Sequence, residues 1–304
     1  MIQIRRILCP VDLSEFSRHA LEHAALLARW YDSELVVLHV YAIQTTPALA
    51  GGPEALVVPV ALPPPGELRQ QAVDSLARFT AGLAAAGAAV RCEVEAGDPR
   101  RAILAAAASL PADLLVLGTH GRSGFDRLVL GSVTEKLLRK APCPVLTVPP
   151  PVTGTAGAPL LFKRILCPVD FSESSMKALG YALSLAQESD ATLLLMHVVE
   201  SFPSPDPEVL PDLDFSAYER SLAASARERL AAAVPEEARS WCTPEVLVTS
   251  GKPYRQILEA VEQRDVHLIV MGVRGRNPLD LMLFGSTTQH IVRQAPCPVL
   301  TLRE

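Results

Sequence analysis

The chain has 304 residues, enough for about two domains of ordinary size, each with its own core. With 49% hydrophobic and 20% charged residues it has a globular composition, and a formal net charge of -5 without any lysine or arginine run argues against nucleic acid as a partner. No stretch approaches the ~20 apolar residues of a membrane-spanning helix, and Pro10 and Asp12 cut the apolar start too short for a signal peptide, so a cytoplasmic protein without membrane contact is expected.

Apolar runs of strand length alternate with stretches of helical period, the pattern of a parallel sheet covered by helices. The spacing predicts strands over 6–11, 34–41, 89–95, 113–118 and 144–148, with helices over 17–31, 67–86, 99–109 and 131–140 between them. Their leucine and β-branched content predicts strands buried on both faces. Strands are expected again over 163–169, 192–199, 245–249, 267–272 and 298–302. Long proline-rich loops at 46–66 and 202–214 read as lids or as surface insertions.

The second set of strands repeats the first. Arg6-Ile7-Leu8-Cys9-Pro10-Val11-Asp12 returns as Arg164-Ile165-Leu166-Cys167-Pro168-Val169-Asp170, His39-Val40 returns as His197-Val198, and the segment from Ala141 to Thr147 returns as Ala295 to Thr301. The offset is 158 residues at first and 154 later. A repeat this long means tandem globular domains rather than a solenoid, whose units run nearer ~20–50 residues. The expected fold is therefore α/β, two doubly wound five-stranded parallel-sheet domains at 1–149 and 161–304, joined by a proline- and glycine-rich linker at 150–160.

Both copies carry one glycine skeleton: Gly118, Gly121, Gly131-Ser132 and Thr134 in the first, Gly272, Gly275, Gly285-Ser286 and Thr288 in the second. Glycine lets backbone amides approach an anion, and a helix opening at Gly131 or Gly285 would offer free amides and a positive dipole end to phosphate. Arg122 and Arg276 can add charge. Asp12 and Asp170 close the first strand of each copy; each can accept ribose hydroxyls or can serve the following helix start, where Ser14 and Ser172 are also capping candidates. His39 and His197 read as satisfied core or rim imidazoles, and His120 has Arg274 as its counterpart, which tells against a shared catalytic base. The six cysteines form no Cys-x-x-Cys pair, so buried thiols in a reducing compartment are expected rather than a metal site.

These loops, with Pro10-Val11-Asp12 and Pro168-Val169-Asp170, resemble the universal stress proteins in their tandem form. The resemblance covers nearly the whole chain outside the linker and the proline-rich loops. It implies an adenine nucleotide alpha hydrolase-like fold and ATP contacts at Pro10, Val11, Asp12, Val40, Leu117, Gly118, Gly121, Gly131, Ser132, Val133 and Thr134. In the second copy it implies Pro168, Val169, Asp170, Val198, Met271, Gly272, Gly275, Gly285, Ser286, Thr287 and Thr288. It further implies ATP as ligand, with Mg2+ travelling on the phosphates, and pairing of the fifth strands into an internal pseudo-dimer and a homodimer. The implied role is a stress-response regulator whose protein partners are unidentified.

Two enzyme readings compete with it. A slow ATPase or self-phosphorylating protein lacks a P-loop lysine, since the loops end Gly131-Ser132-Val133-Thr134 and Gly285-Ser286-Thr287-Thr288. A dinucleotide oxidoreductase fails at Pro10-Val11-Asp12-Leu13-Ser14, which has no glycine for the pyrophosphate turn. A nucleotide-free scaffold remains the third alternative.

Overall fold

The structure, a computed structural model, describes residues 2–42, 64–83, 89–120, 130–150, 162–200, 215–273 and 285–303. In the first half the elements are β1 (Arg6–Val11), α1 (Glu15–Tyr31), β2 (Glu34–Tyr41), α2 (Pro65–Thr80), β3 (Ala89–Ala96), α3 (Pro99–Ser109), β4 (Leu114–Gly118), α4 (Ser132–Lys140) and β5 (Val145–Val148). The second half follows with β6 (Arg164–Pro168), α5 (Glu173–Ser189), β7 (Thr192–Val199), α6 (Phe215–Ala233), β8 (Thr243–Ser250), α7 (Pro253–Gln263), β9 (Leu268–Gly272), α8 (Ser286–Gln294) and β10 (Val299–Leu302). A 3-10 turn at Glu236–Ser240 was not expected from the periodicity. The long loop after β2, as far as residue 63, the loop after β7 and the linker beyond residue 150 lie outside the described residues.

All ten strands form one sheet in the order β3-β2-β1-β4-β5-β10-β9-β6-β7-β8. Within each half the strands are parallel, and the chain winds outward in both directions from a central pair, β1 beside β4 and β6 beside β9. That reversal of winding opens a crevice at the carboxyl ends of the central pair, which is where doubly wound folds bind ligands. Helices cover both faces. Ile7 and Cys9 pack towards α1 and α2, whereas Leu8 packs towards α3 and α4, as period-two alternation dictates, and the second half repeats the arrangement.

Local sequence explains the element ends. Ser14 caps α1 by accepting from the amide of Ser17 at 3.2 Å, and Ser172 caps α5 through Ser175 at 3.3 Å. Both helices stop at an aspartate in left-handed conformation, Asp32 with φ 49° and Asp190 with φ 50°. The expectation of strands buried on both faces holds for β1, β4, β6 and β9 but fails for β3 and β8. These are the outer edges of the sheet. Arg91, Glu93 and Glu95 on β3 keep charge at an edge that would otherwise invite another strand, and Arg91 pairs with both Glu93 and Glu34.

The inner edges solve the same problem by pairing. β5 and β10 run antiparallel, with Leu146 opposite Leu300, Thr147 opposite Val299 and Val145 opposite Thr301. The buried hydroxyl of Thr147 donates to the Val299 carbonyl at 3.1 Å, and Thr301 donates to Val145 at the same distance, so the seam is locally two-fold symmetric. Replacing both threonines by valine keeps the shape and removes both donors. The double variant should lose about 1–3 kcal/mol in urea denaturation; an unchanged midpoint would mean that the ladder and apolar packing alone hold the seam.

Candidate functional site

The crevice of the second half is a cavity of about 700 Å³. That volume suits a nucleotide-sized ligand, since small-molecule sites run roughly 300–1,000 Å³. Its lining includes Pro168, Val169 and Asp170 from the end of β6, Val198 from β7, Met271 and Gly272 from β9, and Gly285, Ser286, Thr287 and Thr288 at the start of α8. Every described residue of the second copy singled out on sequence grounds thus meets at one place. Gly121, Arg122, Gly275 and Arg276 lie outside the described residues.

The first copy places its counterparts at matching points. Pro10 and Val11 end β1, Asp12 follows, Val40 lies near the end of β2, Leu117 and Gly118 end β4, and Gly131, Ser132, Val133 and Thr134 open α4. The pairing of β1 with β4 brings the carboxylate and the glycine strand end to neighbouring strands, as the crevice requires.

Helix capping separates the helix starts into two kinds. α1, α3 and α5 each have a side-chain cap, from Ser14, Asp98 and Ser172. α4 and α8 begin at Gly131 and Gly285 with no side-chain cap, as α2 and α7 also do at Pro64 and Lys252, and of these the glycine starts have no side chain between their first-turn amides and the crevice. The threonines, by contrast, serve the fold: Thr134 donates to the Gly118 carbonyl at 2.9 Å and Thr288 to the Gly272 carbonyl at 3.5 Å, tying each helix start to its strand end. Ser132 and Ser286, both exposed, stand at the mouth.

Asp12 is engaged in the turn before α1. Its Oδ1 accepts from the Ser14 amide at 3.0 Å and from the Ser14 hydroxyl at 2.5 Å, and Asp170 repeats both contacts with Ser172. The cap itself is the serine, and the aspartate orients it while remaining at the crevice. His39 and His197 are held by carbonyls, Nδ1 donating to Val11 at 2.8 Å and to Val169 at 2.7 Å. This is the satisfied imidazole expected, and it pins Val11 at the end of β1 and Val169 just beyond the end of β6. Burial pushes the Cys9, Cys167 and Cys297 thiols upward, and Cys143 reaches about 12 by burial and the nearby Asp113 charge, so all four stay protonated at neutral pH.

Gly118 and Gly272 have a packing role that sequence reasoning missed. A Cβ at Gly272 would lie 2.7 Å from the carbonyl carbon of Ser174, and one at Gly118 would lie 3.1 Å from the His120 carbonyl oxygen and 3.3 Å from that of Phe16. The missing side chain lets the first turn of α5, and of α1 in the first half, approach the strand end. Sequence reasoning also missed Phe171, Arg229, Lys252 and Tyr254, which line the second cavity from three separate places in the chain. No spacing rule unites them; only the fold does.

The fold defines a tandem doubly wound α/β protein with a switch point at the centre of each half. The chain belongs to the universal stress protein family, whose model matches residues 3–149 and 161–303. A universal stress protein of Thermus aquaticus is 34% identical over 148 residues, covering 47% of this chain and 100% of its own length. One from Mycolicibacterium smegmatis is 26% identical over 308 residues, 98% of this chain and 96% of its own. The crystal structure of a universal stress protein from Archaeoglobus fulgidus superposes with a TM-score of 0.67 at 26% identity, covering 99% of both chains. Among the described residues no helix is long and apolar enough to cross a membrane.

Proposed function

We propose that this protein is a cytoplasmic adenine-nucleotide-binding member of its family that works by nucleotide-dependent changes of state and partner contacts, not by rapid turnover. The observation that carries the reading is the second crevice, where a carboxylate, a glycine strand end and a helix start without a side-chain cap line one cavity. Those groups suit the parts of ATP in order: Asp170 for ribose hydroxyls, the amides of Ser286 and Thr287 for phosphate, and Met271 and Val198 for the base. Mg2+ would arrive on the phosphates. A homodimer of the tandem chain belongs to the same proposal.

Mass spectrometry of protein purified without added nucleotide should find a co-purifying adenine nucleotide. Calorimetric titration with a non-hydrolysable ATP analogue should approach two equivalents per chain, and Asp12→Ala combined with Asp170→Ala should weaken both sites by about tenfold or more. Saturation at one equivalent would make one copy structural; no binding at all would leave the scaffold reading. Rapid turnover lost in the aspartate variants would move the protein into the enzyme class.

A further inference from the structure

The two crevices share a backbone but not a charge pattern. Leu13 and Phe171 occupy the same left-handed turn, with φ 65° and φ 64°. Asp98 and Lys252 open α3 and α7 from nearly identical dihedrals, φ -77° and ψ 118° against φ -79° and ψ 121°, each after a positive-φ glycine. On α2 and α6 the buried pairs Ala72 with Ala226 and Leu76 with Leu230 set the register, so Ser75 corresponds to Arg229. At three matched places around the pocket, then, the second half has an aromatic ring and two cations where the first has leucine, serine and aspartate.

The partners of these groups differ as well. Asp98 caps α3 and closes a pair with Arg100 at 2.5 Å, so the charge there is spent within the first half. Lys252 provides no side-chain cap and puts a cation at the positive end of a helix, a locally unfavourable choice of the kind found at binding sites. The Arg229 guanidinium lies over the Phe171 ring, 3.7 Å from its centroid, and neither cation forms an ion pair with a described residue. Asp170 and Glu200 also line the cavity, so the two cations face two carboxylates among the described lining residues.

Phe171 directly follows Asp170, and Arg229, stacked on the Phe171 ring, lines the same cavity as the carboxylate assigned to the ribose. In doubly wound nucleotide sites a carboxylate suits free ribose hydroxyls, whereas a nearby arginine accommodates a phosphate on the ribose. We infer that the second crevice selects adenine nucleotides phosphorylated on the ribose as well as at the 5′ position, with Arg229 reading the ribose phosphate and Lys252 supporting it, while the first crevice takes nucleotides with an unmodified ribose. Asp170 then holds the remaining hydroxyl. The inference rests on the nucleotide reading given above and adds the ligand class for one of the two sites.

The test is calorimetry on the full chain with AMP, adenosine 2′,5′-bisphosphate and adenosine 3′,5′-bisphosphate, which share a 5′-phosphate and separate the two ribose positions. One bisphosphate should bind one equivalent per chain at least about tenfold more tightly than AMP. Arg229→Gln should erase that preference, weakening the bisphosphate at least about tenfold more than it weakens AMP, and Leu13→Phe with Ser75→Arg should create a second preferring site. AMP binding without any bisphosphate preference, or an Arg229→Gln variant that weakens AMP equally, would overturn the inference and leave the nucleotide reading intact. Failure of all three ligands to bind would overturn the inference, and failure of the ATP analogue as well would remove the nucleotide reading with it.

Discussion

Gly272→Ala is expected to destabilise the second half of the chain more than Gly118→Ala destabilises the first. Overpacking a tight site typically costs about 1–3 kcal/mol, and the Gly272 variant belongs at the upper end. Its Cβ would meet the Ser174 carbonyl carbon at 2.7 Å and the Ser175 amide at 2.8 Å. Both belong to backbone in the first turn of α5, and Ser174 is fully buried, so no flexible side-chain end can swing away. At Gly118 the nearest atom is 3.1 Å away, which a small shift relieves. Because α5 follows directly from the Asp170 turn, displacing its first turn also displaces the carboxylate, so stability and ligand affinity should fall together in Gly272→Ala. Urea denaturation of the two variants compares them directly. Equal and small losses would show that the strand end and helix start are more loosely packed than these distances state.

What could be read from the sequence follows a physical line. Strand identity was legible because buried parallel strands such as 7–11 and 165–168 are continuous apolar runs, and the repeat doubled each signal. The meeting of Asp170, Gly272 and Gly285 was legible because the doubly wound topology forces those strand ends together. The polar edges β3 and β8 were misread, because an edge strand half in solvent carries charges that period-two averaging dilutes. α2 was expected to run to residue 86 but ends at Thr80, before the segment 84–88 outside the described residues. Arg229 and Lys252 gave no signal at all: one lies on the face of a helix and the other follows a glycine, and only their meeting in the cavity that Asp170 also lines distinguishes them from ordinary surface cations.

Acidification should weaken the junction of the two halves through His23. This side chain on α1 is buried, with its ring 6.0 Å from Phe162 at the start of the second half and 4.7 Å from the His19 ring. Burial lowers its pKa from 6.5 to about 4, partly opposed by the hydrogen bond to the His19 carbonyl at 2.9 Å. The unfolded chain therefore takes up a proton that the folded chain refuses between those values, so the stability present above pH 6.5 is lost as pH falls towards 4. A shift of that size corresponds to about 3 kcal/mol in all, of which roughly 2 kcal/mol is gone by pH 5. Trp30 also packs edge-on against Phe162, 5.6 Å between centroids, so a charged imidazole here would disturb a contact shared by both halves. His23→Leu fills the site with an apolar side chain of similar size that cannot take the proton. Denaturation at pH 7.5 and pH 5 should show wild type losing more stability than the variant by about 2 kcal/mol, and the same loss in both proteins would place the acid-sensitive group elsewhere.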